Sequence, residues 1–448
     1  MKNILAVLAA LIIITGLTGC SQESPSSIDN PSSSPAPADN YSLLSSPVSF
    51  SDDISELVYG NNLFAFNLYQ KLKESESSNF FYSPYSISTG MAMVSAGARG
   101  ATAQQMADTL HFTLPEERLN TAFYQLAAKL DQEGENNLKI PNVSSSKFFT
   151  LNIANALWGA KDYTFRDDYI NILKVDYGGE LKPIDFANSP ESASQEINQW
   201  IRDQTQNRIQ SLTQPDDFTI DTKLFLANTI YFKAVWKEGF EEKDTRESKF
   251  YLVDGSTIKV PMMYQKGAHI YPYFENNEYQ AISLPYSGTN VSMVILLPQK
   301  GKFQEFEDSL NSQKFNTILE EIQDWNPERN IFDITLMAPK FKFESAYQLI
   351  APLSELGIKD AFESNADFSG LAENGGLQID QICHKTFISV DEKGTEAAAS
   401  TGIAVVTGIE DYKPISFIAD HPFIFLIRDN KTGTILFIGR VMNPQFQE

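Results

Sequence analysis

Cysteine, histidine and basic residues are all scarce in this chain. Its 448 residues include only Cys20 and Cys383 as cysteines, so at most one disulfide is possible, and none if either thiol is modified. Lys and Arg total 35 against 57 Asp and Glu, and the net charge of -22 argues against binding of nucleic acid or a polyanionic cofactor. No metal centre is predicted, because the four histidines lack the spacing of metal ligands: they are His111, His269, His384 and His421. No cofactor is predicted either.

The N-terminus carries the features of a secretory signal. Lys2 precedes an apolar run from Ile4 to Ile14, which is too short to cross a bilayer comfortably. Leu17-Thr18-Gly19-Cys20 resembles a bacterial lipobox, in which Cys20 becomes the lipidated first residue of the mature chain. Residues 1–19 are therefore predicted to be a lipoprotein signal peptide. A plain signal peptide with an incidental cysteine is the alternative.

Residues 20–53 are predicted to be a lipidated tether. The stretch from Ser21 to Pro47 is dominated by serine and proline and has little apolar surface to bury, which favours a flexible chain. Several acyl chains on Cys20 would anchor the protein stably, because a single chain binds a membrane only marginally. The folded part is expected in the cell envelope, membrane-anchored and facing the periplasm or the extracellular side.

The rest of the chain has the pattern of an α+β protein. Hydrophobic residues make up 42% of the sequence, enough for a large core. Leu57, Phe64, Leu68 and Leu72 recur near helical spacing, and Asn61 and Asn62 are predicted to cap that helix. Apolar and β-branched runs predict strands later in the chain, at 224–236, 279–285, 291–297 and 423–441. N-terminal helices and large mixed or antiparallel sheets are therefore expected.

The segment from Val390 to Asp420 alternates like a strand yet is made of poor strand formers. From Thr395 every second residue is Thr, Ala, Ala, Thr, Ile, Val and Thr, so an extended chain would have one mildly apolar face. Its first half is rich in Ala, Gly and Glu, and Gly408 and Pro414 follow. Such a segment can enter a sheet without always belonging to one. An Ala-rich helix or a linker is the alternative.

The chain resembles the serpins, protease inhibitors whose exposed loop inserts into their own sheet after being cut. The run Glu392-Lys393-Gly394-Thr395-Glu396-Ala397-Ala398-Ala399 resembles their hinge. Other segments resemble serpin motifs in family order: Asn79-Phe80-Phe81-Tyr82-Ser83-Pro84-Tyr85-Ser86, Asn228-Thr229-Ile230-Tyr231-Phe232-Lys233, Leu284-Pro285-Tyr286, Ala338-Pro339-Lys340-Phe341, Cys383-His384-Lys385 and His421-Pro422-Phe423. The resemblance implies one serpin domain over residues 54–448, although length alone would suggest two or more. It also implies an exposed reactive-centre loop at about residues 392–417.

The resemblance assigns roles to individual residues. Gly394 matches the pivot of the hinge and Thr395 the first side chain to enter the sheet, within a hinge that comprises Glu392, Gly394, Thr395, Glu396, Ala397, Ala398 and Ala399. The sheet-opening residues are Ser83, Ser86, Asn228 and His384, which match the polar cluster under the strands that must part, and Trp236, which matches the region where insertion begins. Counting from the hinge puts the cleaved bond between Gly408 and Ile409. Counting back from His421 puts it about three residues later, so the alternatives are Thr407, Glu410 and Asp411.

The implied function is inhibition of a serine protease, or also a cysteine protease, and not enzymatic catalysis. The protease would form an acyl-enzyme with the cut loop and be trapped in a covalent 1:1 complex when the loop inserts. No Arg lies in the loop and its small and β-branched residues suit a shallow apolar pocket, so an elastase-like or subtilisin-like protease is the expected partner. The protein is expected to be a monomer.

Two other classes of function are kept as alternatives. The first is a non-inhibitory lipoprotein that uses the serpin fold for binding or structure. The second is a hydrolase. Cys383 and His384 are neighbours, but adjacent strand residues point to opposite faces and cannot share a hydrogen bond. Three short motifs mimic those of penicillin-recognising enzymes: Ser144-Ser145-Ser146-Lys147, Ser309-Leu310-Asn311 and Lys431-Thr432-Gly433.

Overall fold

The apolar runs late in the chain form a six-stranded antiparallel sheet, called the core sheet. Four of its strands are buried along their whole length, because β-branched and aromatic side chains fill both faces. Numbered along the chain, its strands in spatial order are β1 (Phe80–Tyr82), β16 (Ile435–Val441), β15 (Phe423–Asp429), β9 (Val291–Pro298), β8 (Tyr279–Pro285) and β7 (Tyr273–Glu275).

A second six-stranded sheet, the main sheet, is mixed. Strand β4 pairs antiparallel with β2 and parallel with β12, so the predicted mixture of orientations is present. In spatial order its strands are β11 (Phe341–Gln348), β12 (Gln381–Asp391), β13 (Gly394–Thr395), β4 (Leu224–Val235), β2 (Phe149–Ala160) and β3 (Glu180–Ile184).

A third, four-stranded sheet contains the first described strand after the hinge segment. Its order is β14 (Lys413–Ile418), β10 (Phe332–Pro339), β6 (Thr257–His269) and β5 (Arg246–Tyr251). Strand β14 pairs parallel with β10 over Phe332–Met337 and is thereby fixed at the edge of this sheet. The chain on the far side of the hinge segment therefore has its own anchor, away from the main sheet.

The computed structural model describes residues 52–135, 149–269, 271–323, 332–395 and 413–446, which all belong to the compact unit formed by Pro47–Glu448. Among them no helix is long and apolar enough to cross a membrane. The helices are α1 (Asp52–Ser75), α2 (Pro84–Ser95), α3 (Gly100–Leu110), α4 (Glu116–Glu135), α5 (Asp167–Asp176), α6 (Pro190–Gln204), α7 (Phe303–Ser309), α8 (Ser312–Gln323) and α9 (Ile350–Leu356).

The α+β prediction is confirmed, but the predicted start of the first helix is wrong. Helix α1 begins at Asp52, so Asn61 and Asn62 lie inside it and cap nothing. Their side chains instead join the helix to its neighbours. The Ser88 hydroxyl donates to Asn61 Oδ1 (2.6 Å), and Asn62 Nδ2 donates to the Gly433 carbonyl (3.0 Å). Asn61 and Asn62 have a local preference for helix caps, but in the fold they make long-range polar contacts instead.

The main hydrophobic core lies between the main sheet and the core sheet. The Phe81 ring of the core sheet lies 5.4 Å from Phe343 of the main sheet, measured between ring centroids. Phe232 of β4 lies 5.6 Å from Phe437 of β16. Contacts of this kind hold the inner face of β4 and β11 against the largely buried core sheet. Strand β4, in the middle of the main sheet, therefore packs on the core sheet.

Candidate functional site

The site is built around the seam, defined as the line where β12 meets β4 in the middle of the main sheet. Over its lower part the two strands pair directly and in parallel, from Gln381 with Phe225 to Thr386 with Ile230. At its upper end they are separated by β13, because Thr395 pairs with both Val390 and Ala234. The seam is therefore closed below and already holds two residues of another strand above.

The two parts of the seam share one register. Val390 and Ala234, which flank Thr395, are 156 positions apart in the sequence (390 - 234). The directly paired Gln381 and Phe225 are also 156 positions apart (381 - 225). A strand that continued from Thr395 down the seam could thus pair with β12 and with β4 in the register that Thr395 already has. Parting β12 from β4 needs no slip of one strand along the other.

Thr395 is seated in a buried aromatic site. It is 1% exposed, and its hydroxyl lies 2.7 Å from the hydroxyl of Tyr286. The Tyr286 ring stacks on Trp236 at 4.6 Å between centroids with an angle of 8° between the planes. Gly394 precedes it with φ of 149°, and a Cβ there would lie 2.1 Å from the Ala234 carbonyl oxygen. Only glycine fits this approach to β4.

Trp236 also holds the turn that leads into β13. Its backbone N–H donates to the Lys393 carbonyl (2.9 Å), and its indole Nε1 donates to the Asp391 carbonyl (3.0 Å). Strand β4 ends one residue earlier, so Trp236 continues the edge of that strand around the turn. The region where insertion was expected to begin is therefore tied to the hinge by two hydrogen bonds.

Glu392 anchors the base of the hinge through its side chain. It is 5% exposed, with Oε2 3.0 Å from Lys340 Nζ and Oε1 accepting a 2.7 Å hydrogen bond from the Thr245 hydroxyl. Burial opposes ionisation of this carboxyl, but the Thr245 hydrogen bond and the Lys340 ammonium outweigh it and lower its pKa. Glu392 is thus held as a carboxylate beside the four-stranded sheet, because Lys340 follows β10 and Thr245 precedes β5.

A buried polar cluster crosses the lower seam. His384 of β12 and Asn228 of β4 are a registered pair, and the His384 Nδ1 and Asn228 Oδ1 atoms are hydrogen-bonded across it. Asn228 Nδ2 donates to the Ser86 hydroxyl (2.8 Å), and the Ser83 N–H donates to His384 Nε2 (3.1 Å). The cluster therefore joins β4, β12 and the first turn of α2.

The hydrogen bonds fix the protonation of His384. Because Nε2 accepts from Ser83, the ring is neutral and its proton lies on Nδ1, towards Asn228. His384 is completely buried, and this burial lowers its pKa to about 3. A second proton would have to displace the Ser83 N–H from Nε2. The cluster is therefore built for a neutral imidazole.

Several predicted residues lie outside the described residues. Cys20 is one of them, and the others belong to the loop: Glu396, Ala397, Ala398, Ala399, Thr407, Gly408, Ile409, Glu410 and Asp411. The hinge residues Glu392, Gly394 and Thr395 are described and lie together at the top of the seam. The structure also brings together Ser83, Ser86, Asn228 and His384, while Trp236 lies apart from them, beside the hinge.

The hydrolase alternatives gain no support from the geometry. Cys383 packs in an apolar cluster with Trp158 and Phe225, on the face of β12 opposite to His384, and its burial raises its pKa to about 12. Lys431-Thr432-Gly433 forms part of the turn between β15 and β16, where the Thr432 hydroxyl donates to Asp429 (2.6 Å). Residues 144–147, the first of the three penicillin-enzyme motifs, lie outside the described residues.

Three partners of the hinge were not assigned a role from the sequence: Tyr286, Lys340 and Thr245. Tyr286 and Lys340 do belong to short segments that resemble serpin motifs, so a signal for their importance was present. Their partners could not be read from it, because Thr395 and Tyr286 are 109 residues apart in the sequence and meet only in the fold. Thr245 had no such signal.

Comparisons with known proteins agree on one family. The family model described as "Serpin (serine protease inhibitor)" matches residues 59–444. An uncharacterized serpin-like protein of Thermococcus kodakarensis is 39% identical over 99% of both chains. Leukocyte elastase inhibitor A of Mus musculus is 38% identical and covers 87% of this chain and 100% of its own length.

Solved structures give the same result for the fold. The crystal structure of Serpin48 from the insect Tenebrio molitor superposes with a TM-score of 0.74 at 30% identity, over 89% of this chain and 100% of that one. Human thyroxine-binding globulin complexed with thyroxine gives a TM-score of 0.74 at 30% identity, over 88% of this chain and 100% of that one.

Proposed function

The chain belongs to the serpin family, and from that premise we propose that it inhibits a serine protease as a suicide substrate. The observation that carries the proposal is the position of β13. Gly394 and Thr395 already pair with both sides of the seam, in the register that the closed part continues. The rest of the loop would follow these two residues into the main sheet.

The reaction begins as ordinary proteolysis. The catalytic serine of the protease attacks the carbonyl carbon of Gly408, an ester forms, and the bond to Ile409 breaks with the amine leaving protonated. Water would normally hydrolyse this ester. Here the freed loop enters the seam first and carries the protease with it, and distortion of the protease active site stops deacylation. Thr407, Glu410 and Asp411 remain the alternative residues at the cleaved bond.

Continuing the register of β13 assigns a position to each inserted residue. Thr401 would enter between His384 and Asn228, whose mutual hydrogen bond spans the seam. Its hydroxyl can both donate and accept, so it can replace the bond that its entry breaks. Side chains two residues apart share a face. Ala397, Ala399, Ile403 and Val405 would therefore face the core as Thr395 does, and all are small or apolar.

Length and energy both favour complete insertion. The 14 residues from Thr395 to Gly408 span roughly 46 Å at ~3.3 Å each, which would move the protease along the whole seam. Each new backbone pairing contributes about 0.5–1.5 kcal/mol net, so a full strand supplies on the order of 10–20 kcal/mol. This is comparable to or larger than the typical stability of a folded protein. The uncut protein is then a kinetically trapped state.

The proposed target is an elastase-like or subtilisin-like protease. The loop from Glu396 to Tyr412 has no Arg or Lys, which disfavours trypsin-like enzymes. The similarity to leukocyte elastase inhibitors supports the same preference. A cysteine protease could be trapped by the same chemistry through a thioester. The inhibitor would act as a monomer and form a 1:1 complex.

The proposed location is the cell envelope. Residues 1–19 would be removed as a signal peptide, Cys20 would carry the lipid, and residues 20–53 would hold the serpin domain (54–448) away from the membrane surface. Extraction of the mature protein into detergent, and its release into buffer when Cys20 is replaced by Ser, are the expected results. A buffer-soluble mature protein with unmodified Cys20 would contradict the anchor.

A non-inhibitory lipoprotein is the second candidate. The observation that favours it is the fold similarity to thyroxine-binding globulin, a serpin-fold protein whose structure contains a small ligand. The hinge argues for inhibition, because Thr395-Glu396-Ala397-Ala398-Ala399 contains no proline and no bulky apolar residue that would hinder entry into the seam. Trapping of a protease distinguishes the two candidates.

The central experiment is the detection of a complex that survives denaturation. Purified protein is incubated with four classes of protease: elastase-like, subtilisin-like, trypsin-like, and proteases that cut after Asp or Glu. Boiled samples are separated on a denaturing gel. We expect a 1:1 complex with an elastase-like or subtilisin-like enzyme and none when the catalytic serine is blocked. Efficient loop cleavage by all four classes without any complex would overturn inhibition in favour of the second candidate.

Substitution of the hinge tests whether trapping depends on insertion. Thr395→Arg is expected to turn the inhibitor into a substrate, because a guanidinium cannot be buried cheaply beside Tyr286. Ala397→Arg should do the same without altering a side chain that is already seated in the uncut protein. The matched control is Glu396→Arg, which would face Ser389 and Lys233, both partly exposed. Full complex yield with both inward variants would refute insertion.

A further inference from the structure

A carboxylate bridges the two strands at the lower end of the seam. Asp380 lies directly before β12, and its Oδ2 accepts hydrogen bonds from two consecutive backbone N–H groups, of Lys223 (2.6 Å) and Leu224 (3.1 Å). The Asp380 N–H in turn donates to the Leu224 carbonyl (3.0 Å). The side chain therefore crosses from β12 to the beginning of β4, at the end of the seam opposite to Thr395.

Two neighbours reinforce this contact. Gln378 Nε2 donates to Asp380 Oδ1 (3.1 Å), so both carboxylate oxygens accept hydrogen bonds. The Gln381 side-chain amide donates to the Asp217 carbonyl in the segment that leads to β4. Hydrogen bonds from backbone N–H groups to a carboxylate are stronger than those between neutral groups. The lower end of the seam is thus held by a charged side chain in addition to the strand ladder.

Insertion of the loop would separate these partners. If the pairing of β13 continues, each following loop residue pairs with the preceding residue of β12 and of β4. Val405 would therefore lie between Asp380 and Leu224. A strand inserted between two others sets them ~10 Å apart, twice the ~4.8 Å spacing of neighbours. The Asp380 carboxylate could then no longer reach the Lys223 and Leu224 N–H groups.

We infer that Asp380 is a positioning residue that stabilises the uncut protein selectively, as a clamp on the lower seam that full insertion of the loop releases. The inference rests on the proposed function, since it requires that the cut loop fills the seam. Contacts at both ends of the seam then act on the uncut protein. The hinge contacts of Thr395 guide entry at the top, and the Asp380 clamp holds the bottom closed until the last inserted residues arrive.

The test compares uncut and loop-cleaved protein. Asp380→Ala is expected to lower the melting temperature of the uncut protein by about 2–4 °C and to leave that of the cleaved protein unchanged. It should also shorten the time in which the uncut protein loses inhibitory capacity on warming. Asp380→Asn keeps one acceptor oxygen without the charge and should give a smaller shift. Asp380→Asn also provides the comparison of uncut and cleaved protein if Asp380→Ala does not fold.

The matched control is Asp185→Ala at the same end of the main sheet. Asp185 follows β3, bonds to Lys161 Nζ (2.6 Å) and the Asn188 N–H (3.1 Å), and lies away from the seam. Its loss should lower both melting temperatures equally. An equal loss in both forms of the Asp380 variants, or no loss in either, would overturn the clamp. If cleaved wild-type protein itself gains no stability, the proposed function fails and the clamp fails with it.

Discussion

The core sheet and the seam of the main sheet are both buried but are held together differently. Strands β9, β15 and β16 are buried at every position, and Phe, Ile, Leu and Val supply most of their side chains. At the seam, by contrast, polar side chains make the specific contacts: Asn228 with His384 and Asp380 with the backbone of Lys223 and Leu224 across it, and Thr395 with Tyr286 at its upper end.

In the proposed mechanism, this difference determines which sheet opens. Parting two core strands would leave large apolar side chains without neighbours, and nothing in the loop could fill that space. Parting the seam breaks hydrogen bonds, and an entering strand can make equivalent ones on both of its edges. A sheet held by directional bonds can thus exchange partners, while the apolar sheet beneath it stays fixed as a platform.

The largest expected effect comes from cutting the loop. Limited proteolysis near Gly408 should raise the melting temperature by roughly 10–20 °C, because the added central strand stabilises the main sheet by on the order of 10–20 kcal/mol. Calorimetry of intact and nicked protein measures this directly. Identical melting temperatures would mean that the seam does not accept the loop, and the contrast with the core sheet would lose its functional meaning.

A substitution in the core sheet should act on both forms alike. Phe425→Ala removes a fully buried ring that lies 5.5 Å from Phe341 and 6.3 Å from Phe81. It is expected to lower the free energy of unfolding by about 3–5 kcal/mol in uncut and cleaved protein. Denaturant unfolding of both forms gives the two values. A loss confined to the uncut form would show that the core sheet also rearranges.

The sequence predicts the platform better than the seam. Uninterrupted apolar runs identify β8, β9, β15 and β16 of the core sheet to within one or two residues, because burial on both faces leaves a local signature. In the main sheet, β4 is identified equally well by the same kind of run. The same runs predict the α+β class. The start of α1 was missed by nine residues or more, because Asn61 and Asn62 have a capping preference that long-range contacts override.

The contacts of the seam are only partly readable. Motif resemblance identified Asn228 and His384, but not that they pair with each other across 156 residues of sequence. Thr245 and Asp380 carried no signal at all, since a single Thr or Asp before a strand is common and its partner is set by the fold. Local pattern reveals apolar burial, whereas hydrogen-bond partners depend on how distant segments meet.

The smallest expected effect is a pH dependence of the free energy of unfolding that comes from the histidine at the seam and has no counterpart in the strands of the core sheet. No histidine occurs in the core strands, while His384 lies at the seam with its pKa lowered to about 3 by burial. The unfolded chain binds a proton at this residue near pH 6.5 and the folded protein does not, so stability is lost as pH falls below that value. We expect a loss of about 2 kcal/mol between pH 7.5 and pH 5. Denaturant unfolding of wild-type and His384→Gln protein at both pH values measures it, and an unchanged pH dependence in the variant would remove His384 as its source.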